Sequence, residues 1–165
     1  MRRVAVIETG DQSAAVFHGI ALDCGPRLGC SLFTVTWHDA AAMQVERVYS
    51  SNPAAYPVGG RKPKRDTAWG GQVLIEGKPL VCAGNEAITQ MFEDHATILG
   101  LGLHSCINVP VLREAVCVGV LNFLMMGDTV SPEQLRDAGE YAVQPALVAA
   151  LAGIPRRRPD WVGAT

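Results

Sequence analysis

The chain lacks most of the features that announce a function. No apolar stretch in its 165 residues approaches the roughly 20 needed to span a bilayer. Neither sign of charge dominates: 14 Lys and Arg against 16 Asp and Glu leave a net charge of −2. That balance gives no general footprint for nucleic acid or for a membrane surface. Aromatic residues make up only 6% of the chain. There is no Cys-x-x-Cys, no His-x-His and no His-Glu-x-x-His, so no metal site is indicated, and nothing points to a cofactor. A Ser-His-Asp pattern and a nucleophile elbow are missing, and Glu76, Asp128 and Glu133 form no spacing that suggests paired carboxylates. The five cysteines, Cys24, Cys30, Cys82, Cys106 and Cys117, are odd in number and match no zinc spacing, so free, mostly buried thiols are expected. The start, Met1-Arg2-Arg3-Val4-Ala5-Val6-Ile7, meets Glu8 after a short apolar run. This is unlike a signal peptide, and a cytoplasmic protein is expected.

What is present suits one domain with a proper core. Hydrophobic residues are 48% of the chain, and the length leaves little room for a second domain. The expected domain covers residues 1–155, with a loosely held tail over 156–165. Asp11 to Asp23 reads as a helix capped by Asp11, with Val16, Phe17 and Ile20 on one face and Gly25-Pro26 as its stop. Cys30 to Trp37 and Met43 to Ser50 read as an antiparallel pair of strands joined near His38-Asp39. Ser51 to Asp66, with three prolines and two glycines, predicts an irregular lid, since long loops in compact domains are often functional. A short helix over Thr67 to Glu76, a strand over Leu80 to Ala83 and a helix from Asn85 to Leu99 follow. The last helix starts on Ser131-Pro132-Glu133-Gln134, a capping-box signal, and should run to Leu151 with a kink at Pro145.

The most informative stretch lies between those last two helices. Ser105 to Val111 and Val116 to Phe123 read as a hairpin turning at Arg113-Glu114. Side chains alternate along a strand. One face then carries Ile107, Val109, Val111, Val116, Val118 and Val120, and should pack under helices. The other carries Cys106, Asn108, Pro110, Cys117, Gly119, Leu121 and Phe123, and looks like the floor of a pocket.

This hairpin and the order of elements resemble a GAF domain, on Val109-Pro110-Val111, the turn at Arg113 to Ala115, Val118-Gly119-Val120-Leu121 and Ser131-Pro132-Glu133-Gln134. The match extends over about residues 11 to 152. The resemblance implies an α+β fold: a mostly antiparallel sheet with the terminal helices on one face and a ligand pocket under loops and short helices on the other. It also implies a small-molecule-binding, sensory role, here without room for an output domain, and a homodimer formed through the terminal helices, where Leu147, Val148 and Leu151 supply apolar residues. A related enzyme class, the free methionine-(R)-sulfoxide reductases, carries cysteines in a Gly-x-Cys-Gly turn and in the loop before the Pro-containing strand. The corresponding stretches here, Trp69-Gly70-Gly71-Gln72 and Ile98 to Gly102, have none. The cyclic-nucleotide signature Asn-Lys-Phe-Asp-Glu is also missing.

The residues themselves suggest two chemistries. On a helix from Asn85 to Leu99, His95 shares a face with Ile88, Met91 and Phe92 and should point inward. Beside Cys106 it would form a thiol–imidazole pair, the arrangement of a small cysteine-dependent enzyme. The alternative is a satisfied core histidine and an inert thiol. The lid places Arg61, Lys62, Lys64 and Arg65 beside Gly59-Gly60, a grouping suited to capture of a carboxylate or phosphate. Tyr49, Tyr56 and Trp69 flank the lid, and Ser51-Asn52 ends the second strand. The leading expectation is a small anionic or aromatic ligand held by Asn108, Cys106, His95, Tyr49, Ser51, Asn52, Tyr56, Arg61, Lys62 and Trp69, without metal, nucleic acid or membrane. The competing expectations are the Cys106–His95 enzyme and an interaction module whose pocket is filled by its own side chains.

Overall fold

A six-stranded sheet forms the middle layer, in the order β3-β2-β1-β6-β5-β4. The structure is a computed structural model that describes residues 10–155; the expected C-terminal tail and the charged N-terminus lie outside the described residues. The strands are β1 (Cys30–Asp39), β2 (Gln44–Ser50), β3 (Gly59–Pro63), β4 (Leu80–Ala83), β5 (Ser105–Arg113) and β6 (Val116–Met125), and every neighbouring pair is antiparallel. The helices are α1 (Asp11–Leu28), α2 (Asn85–Met91), α3 (His95–Gly100), α4 (Pro132–Ala142) and α5 (Pro145–Ala152), with a π-helical turn at Gly70–Ile75. Among the described residues no helix is long and apolar enough to cross a membrane.

The two faces of the sheet carry separate cores. Helices α1, α4 and α5 cover one face, where Phe17, Phe33, Phe123 and Tyr141 pack with Ile107, Val109, Leu147 and Leu151. On the other, Leu32, Val73, Leu80, Ile88, Ile98, Cys106, Val120 and Leu124 pack beneath the π-helical turn and the short helices. This is the expected α+β layering. Leu147 and Leu151 are fully buried within the chain, so they serve this core and are not free apolar residues for a partner.

Several elements depart from the sequence reading. Helix α1 has Gly10 at its cap position and continues through Gly25-Pro26 to Leu28. The buried stripe Phe17, Ile20, Cys24 and Leu28 outlasts the Gly-Pro pair at helical spacing. The lid contains a strand, β3, paired with β2. It was illegible because Gly59 and Gly60 take positive φ values of 89° and 77°, and because Pro63 is tolerated on an edge. The single helix expected from Asn85 to Leu99 is two, broken where Phe92 turns extended, at φ −117° and ψ 130°. The last helix is also two, because Pro145 starts a new helix instead of kinking one. Its capping box does form: Gln134 N donates to Ser131 Oγ at 3.1 Å and Ser131 N to Gln134 Oε1 at 2.8 Å. Gln134 Nε2 also donates to Leu28 O at 2.8 Å, tying this cap to the end of α1.

The hairpin has its faces as expected on β5 and largely inverted on β6. Arg113 pairs with Val116 and Leu112 with Cys117, but Val111 pairs with Gly119. Val118 is therefore an extra residue, a bulge, and a bulge reverses which side chains face which way beyond it. Leu121 and Phe123, expected on the pocket floor, lie under the helices, and Val120, expected there, lies on the pocket side. Gly119 also faces the helices, in contact so close that an added Cβ would come 2.6 Å from Thr36 O and 2.8 Å from Leu151 Cδ1. Val116, near the turn, is exposed.

Because the Thr36 carbonyl belongs to a central strand and cannot move aside, Gly119→Ala should destabilise the fold by about 1–3 kcal/mol. Urea unfolding followed by circular dichroism checks this; an unchanged midpoint would show that α5 does not press on β6 at this point.

Candidate ligand-binding site

A cavity of about 210 Å³ opens between the sheet and the lid. Its floor comes from three adjacent strands. Thr34 on β1 pairs with Asn122 on β6, and Asn122 with Asn108 on β5, so these three side chains form a row across one face. Thr36, Cys106 and Leu124 complete the floor; Tyr56, Trp69, Phe92, Asp94 and Ile98 form the walls; and Arg47, Gly59, Gly60, Lys62 and Lys64 lie along the lid side.

Each wall residue is held by a specific contact. The Tyr56 hydroxyl donates to the Asp94 carboxylate, and Tyr56 is buried. Burial and that hydrogen bond push its phenol well above the usual range. The break between α2 and α3 makes this contact possible, because it turns Phe92 and Asp94 toward the cavity. The Arg47 guanidinium stacks on the Tyr56 ring, 3.7 Å from its centroid, and Nη1 donates to Pro57 O at 2.8 Å. Its Nε is buried without a hydrogen-bond partner among the described residues, and burial holds the guanidinium below its ordinary pKa. Lys64 Nζ sits 5.1 Å from the Trp69 ring centroid. Burial and then repulsion from Lys62 lower its pKa. These cation–π contacts hold two positive charges at the mouth; among the described residues neither forms a salt bridge, though both feel the Asp94 carboxylate.

The structure brings together Asn108, Cys106, Tyr56, Lys62 and Trp69 of the expected site. Arg61 also borders the cavity, but its guanidinium turns away. It pairs with Asp39 at 2.7 Å and lies 5.6 Å from the Trp37 ring centroid, and Trp37 belongs to the helix-side core. Register explains this: Lys62 pairs with Val45 and Arg61 with Glu46, so neighbouring cations point to opposite faces. Four expected residues are not among those lining the cavity. Tyr49 packs with Phe17 and Phe33 on the helix side. Ser51 Oγ accepts from Phe33 N at 2.9 Å, which extends the pairing with β1, and Asn52 Oδ1 accepts from Ala55 N at 3.4 Å, which serves the turn. The His95 Nδ1 lies 2.8 Å from Phe92 O, at the start of α3.

The expected thiol–imidazole pair is accordingly not formed. Cys106 instead faces Cys82 across the β4–β5 ladder. The hydrogen bond shared with Cys82 and then burial push the Cys106 thiol far up, away from the thiolate that nucleophilic chemistry needs. Cys117 is likewise pushed up, to about 11, by burial. Among the described residues no group of three or more His, Cys, Asp or Glu side chains is placed to hold a metal ion.

The sequence reading missed Thr34, Thr36, Arg47, Phe92, Asp94 and Asn122. Three of these, Thr34, Thr36 and Asn122, carried a signal. Threonines at alternate positions in the apolar Leu32–Trp37 run, and a lone Asn122 in Val118–Met125, mark one polar face on strands that are otherwise buried on both sides.

The GAF domain profile matches residues 8–148. No curated protein sequence matches the chain. Solved structures do. The GAF domain of a two-component sensor histidine kinase from Bacillus halodurans aligns with a TM-score of 0.67 at 12% identity, over 82% of this chain and 91% of that one. The second GAF domain of DevS from Mycobacterium smegmatis aligns at 0.60 and 22% identity, over 85% and 94%. The free methionine-R-sulfoxide reductase from Neisseria meningitidis, solved with its substrate, aligns at 0.61 and 19% identity, over 88% and 80%. At these identities the likeness is one of fold.

If Cys106 is an inert wall residue, iodoacetamide at pH 8 should alkylate it at least about tenfold more slowly than a free thiol, read by peptide mass spectrometry of the folded protein. Labelling at or above the free-thiol rate would restore the enzyme reading.

Proposed function

The chain belongs to the GAF domain family, and from that premise we propose that it is a regulatory binding protein whose ligand is a small organic anion held in the cavity between the sheet and the lid. GAF domains are generally a small-molecule-binding regulatory fold, and the question particular to this chain is what its cavity accepts.

The observation that carries the reading is the charge balance of the lining. Three cations, Arg47, Lys62 and Lys64, meet one carboxylate, Asp94, and that carboxylate already accepts the Tyr56 hydroxyl. Arg47 keeps a buried Nε without an acceptor among the described residues. Half-buried cations fixed on aromatic rings bind an anion at little further ordering cost. A cationic ligand is disfavoured because Arg47 and Lys64 already stack on the Tyr56 and Trp69 rings that would cage it. The side chains do not fill the cavity themselves, which counts against a purely structural module. Cys106 lines the site as a buried thiol facing Cys82 and not an imidazole, so binding fits the geometry better than thiol chemistry. Self-association through the terminal helices belongs to the same proposal, with exposed Leu22 on α1 and Val143 between α4 and α5 as its apolar contacts.

Calorimetric titration with benzoate tests the anion reading. Lys64→Gln and Arg47→Gln should each weaken binding by about tenfold, the scale of a lost charge-assisted hydrogen bond. Equal affinity in both variants and the parent would move the ligand elsewhere.

A further inference from the structure

The floor of the cavity holds a chain of hydrogen bonds whose direction is fixed at one end. An indole N–H can only donate. Trp69 Nε1 donates to Asn108 Oδ1 at 3.0 Å, so that oxygen is the acceptor and the Asn108 amide nitrogen faces β6. Asn108 Nδ2 donates to Asn122 Oδ1 at 2.8 Å. The Asn122 nitrogen is thereby turned toward β1, where it donates to Thr34 Oγ1 at 3.0 Å and Thr36 Oγ1 at 2.9 Å. Neither asparagine can turn over without setting donor against donor or oxygen against oxygen, so one donor-only group orients four side chains.

The consequence is a floor with one polarity. Both amide protons of Asn122 are used. Each threonine oxygen accepts from Asn122 and retains its own proton, and among the described residues neither hydroxyl donates to a protein acceptor. Asn108 Nδ2 retains a second proton. Thr34 and Asn108 are buried, and all four residues line the cavity. What the floor offers a ligand is therefore O–H and N–H protons. Each amide oxygen already accepts one hydrogen bond, from Trp69 or from Asn108, and each threonine oxygen accepts one from Asn122, so the groups left without any partner are the protons.

Building on the anion reading above, we infer that the cavity selects a dianion-like ligand: one carboxylate at the Arg47–Lys64 mouth and, at its inner end, a group made only of hydrogen-bond acceptors, such as a second carboxylate. Trp69 is the specificity-determining residue, acting through the two asparagines. An inner ammonium would leave the protons of the threonines and of Asn108 without an acceptor, and an inner amide would supply a single acceptor oxygen for them; a buried polar mismatch of this kind is what lets a site reject a close analogue. A benzene ring occupies a cavity of about 150 Å³, so about 210 Å³ suits a small ring or chain with polar ends.

Three probes isolate the inner end. Terephthalate, 4-carbamoylbenzoate and 4-amidinobenzoate share a ring and one carboxylate; their far ends carry acceptors only, an acceptor with donors, and donors only. Titrated into the full chain, their affinities should fall in that order by about tenfold per step. Trp69→Phe frees Asn108 to turn over and should bring the three within about threefold of one another, whatever uniform loss it causes. Should that variant fail to fold by circular dichroism, Thr36→Val serves in its place. It removes one floor proton at nearly constant shape and should weaken terephthalate about tenfold while leaving 4-amidinobenzoate unchanged. Three equal affinities in the parent chain, or tighter binding of the amide or amidine, would overturn the inference and leave the anion reading standing, since all three carry the mouth carboxylate. Binding of none of them, with benzoate also silent, would overturn both.

Discussion

One extra residue on β6 decides what the cavity is made of. The turn between β5 and β6 places Glu114 and Ala115 at positive φ values of 51° and 66°, the tight geometry of a two-residue hairpin. Continued without interruption, that register would put Asn122 under the helices and Leu121 and Phe123 over the cavity. The bulge at Val118 shifts the pairing by one residue, so that Asn108 meets Asn122 and Val109 meets Leu121. Two consequences follow together. Phe123 joins Phe33 and Tyr141, at 5.2 Å and 5.8 Å between ring centroids, and Asn122 is spared burial in an aromatic core without a partner, a costly placement for an amide. A second bulge does the same on β2. Tyr49 pairs with Val35 and Arg47 with Thr36, leaving Val48 extra, so that Tyr49 enters the helix-side core and Arg47 faces the cavity.

These two bulges account for much of what the sequence did not reveal. Alternation on β5 was legible because Ile107, Val109 and Val111 keep their parity through an unbroken stretch. Alternation on β2 and β6 was misleading because parity changes inside each strand, and no composition signal marks a valine as the extra residue. The capping box at Ser131 and the stripe from Phe17 to Leu28 were legible because they are local patterns with a fixed period. The break at Phe92 was not, since its cause is tertiary: Phe92 and Asp94 are drawn to the cavity by partners distant in sequence. In the sequence Arg61 and Lys62 look like equivalent lid cations, yet β3 is a strand, and on a strand neighbours diverge.

The cavity that results divides its tasks by position. The cations at the mouth are fixed, Arg47 of β2 against Tyr56 and Lys64 of the lid against Trp69, and Trp69 also anchors the amide chain of the floor. One aromatic residue thus connects the charge at the mouth to the polarity at the base. A site whose donors are already oriented loses little freedom when a ligand enters, which favours selectivity over adaptability.

The register of β5 against β6 is the point on which these arguments converge, and nuclear Overhauser spectroscopy reads it directly. The account predicts cross-peaks between the side-chain amide protons of Asn108 and Asn122, from the Trp69 indole proton to the Asn108 amide, and between the Phe123 and Tyr141 rings. Cross-peaks from the Asn122 amide to Phe17 or Tyr141, with the Phe123 ring instead near Ile98, would contradict it.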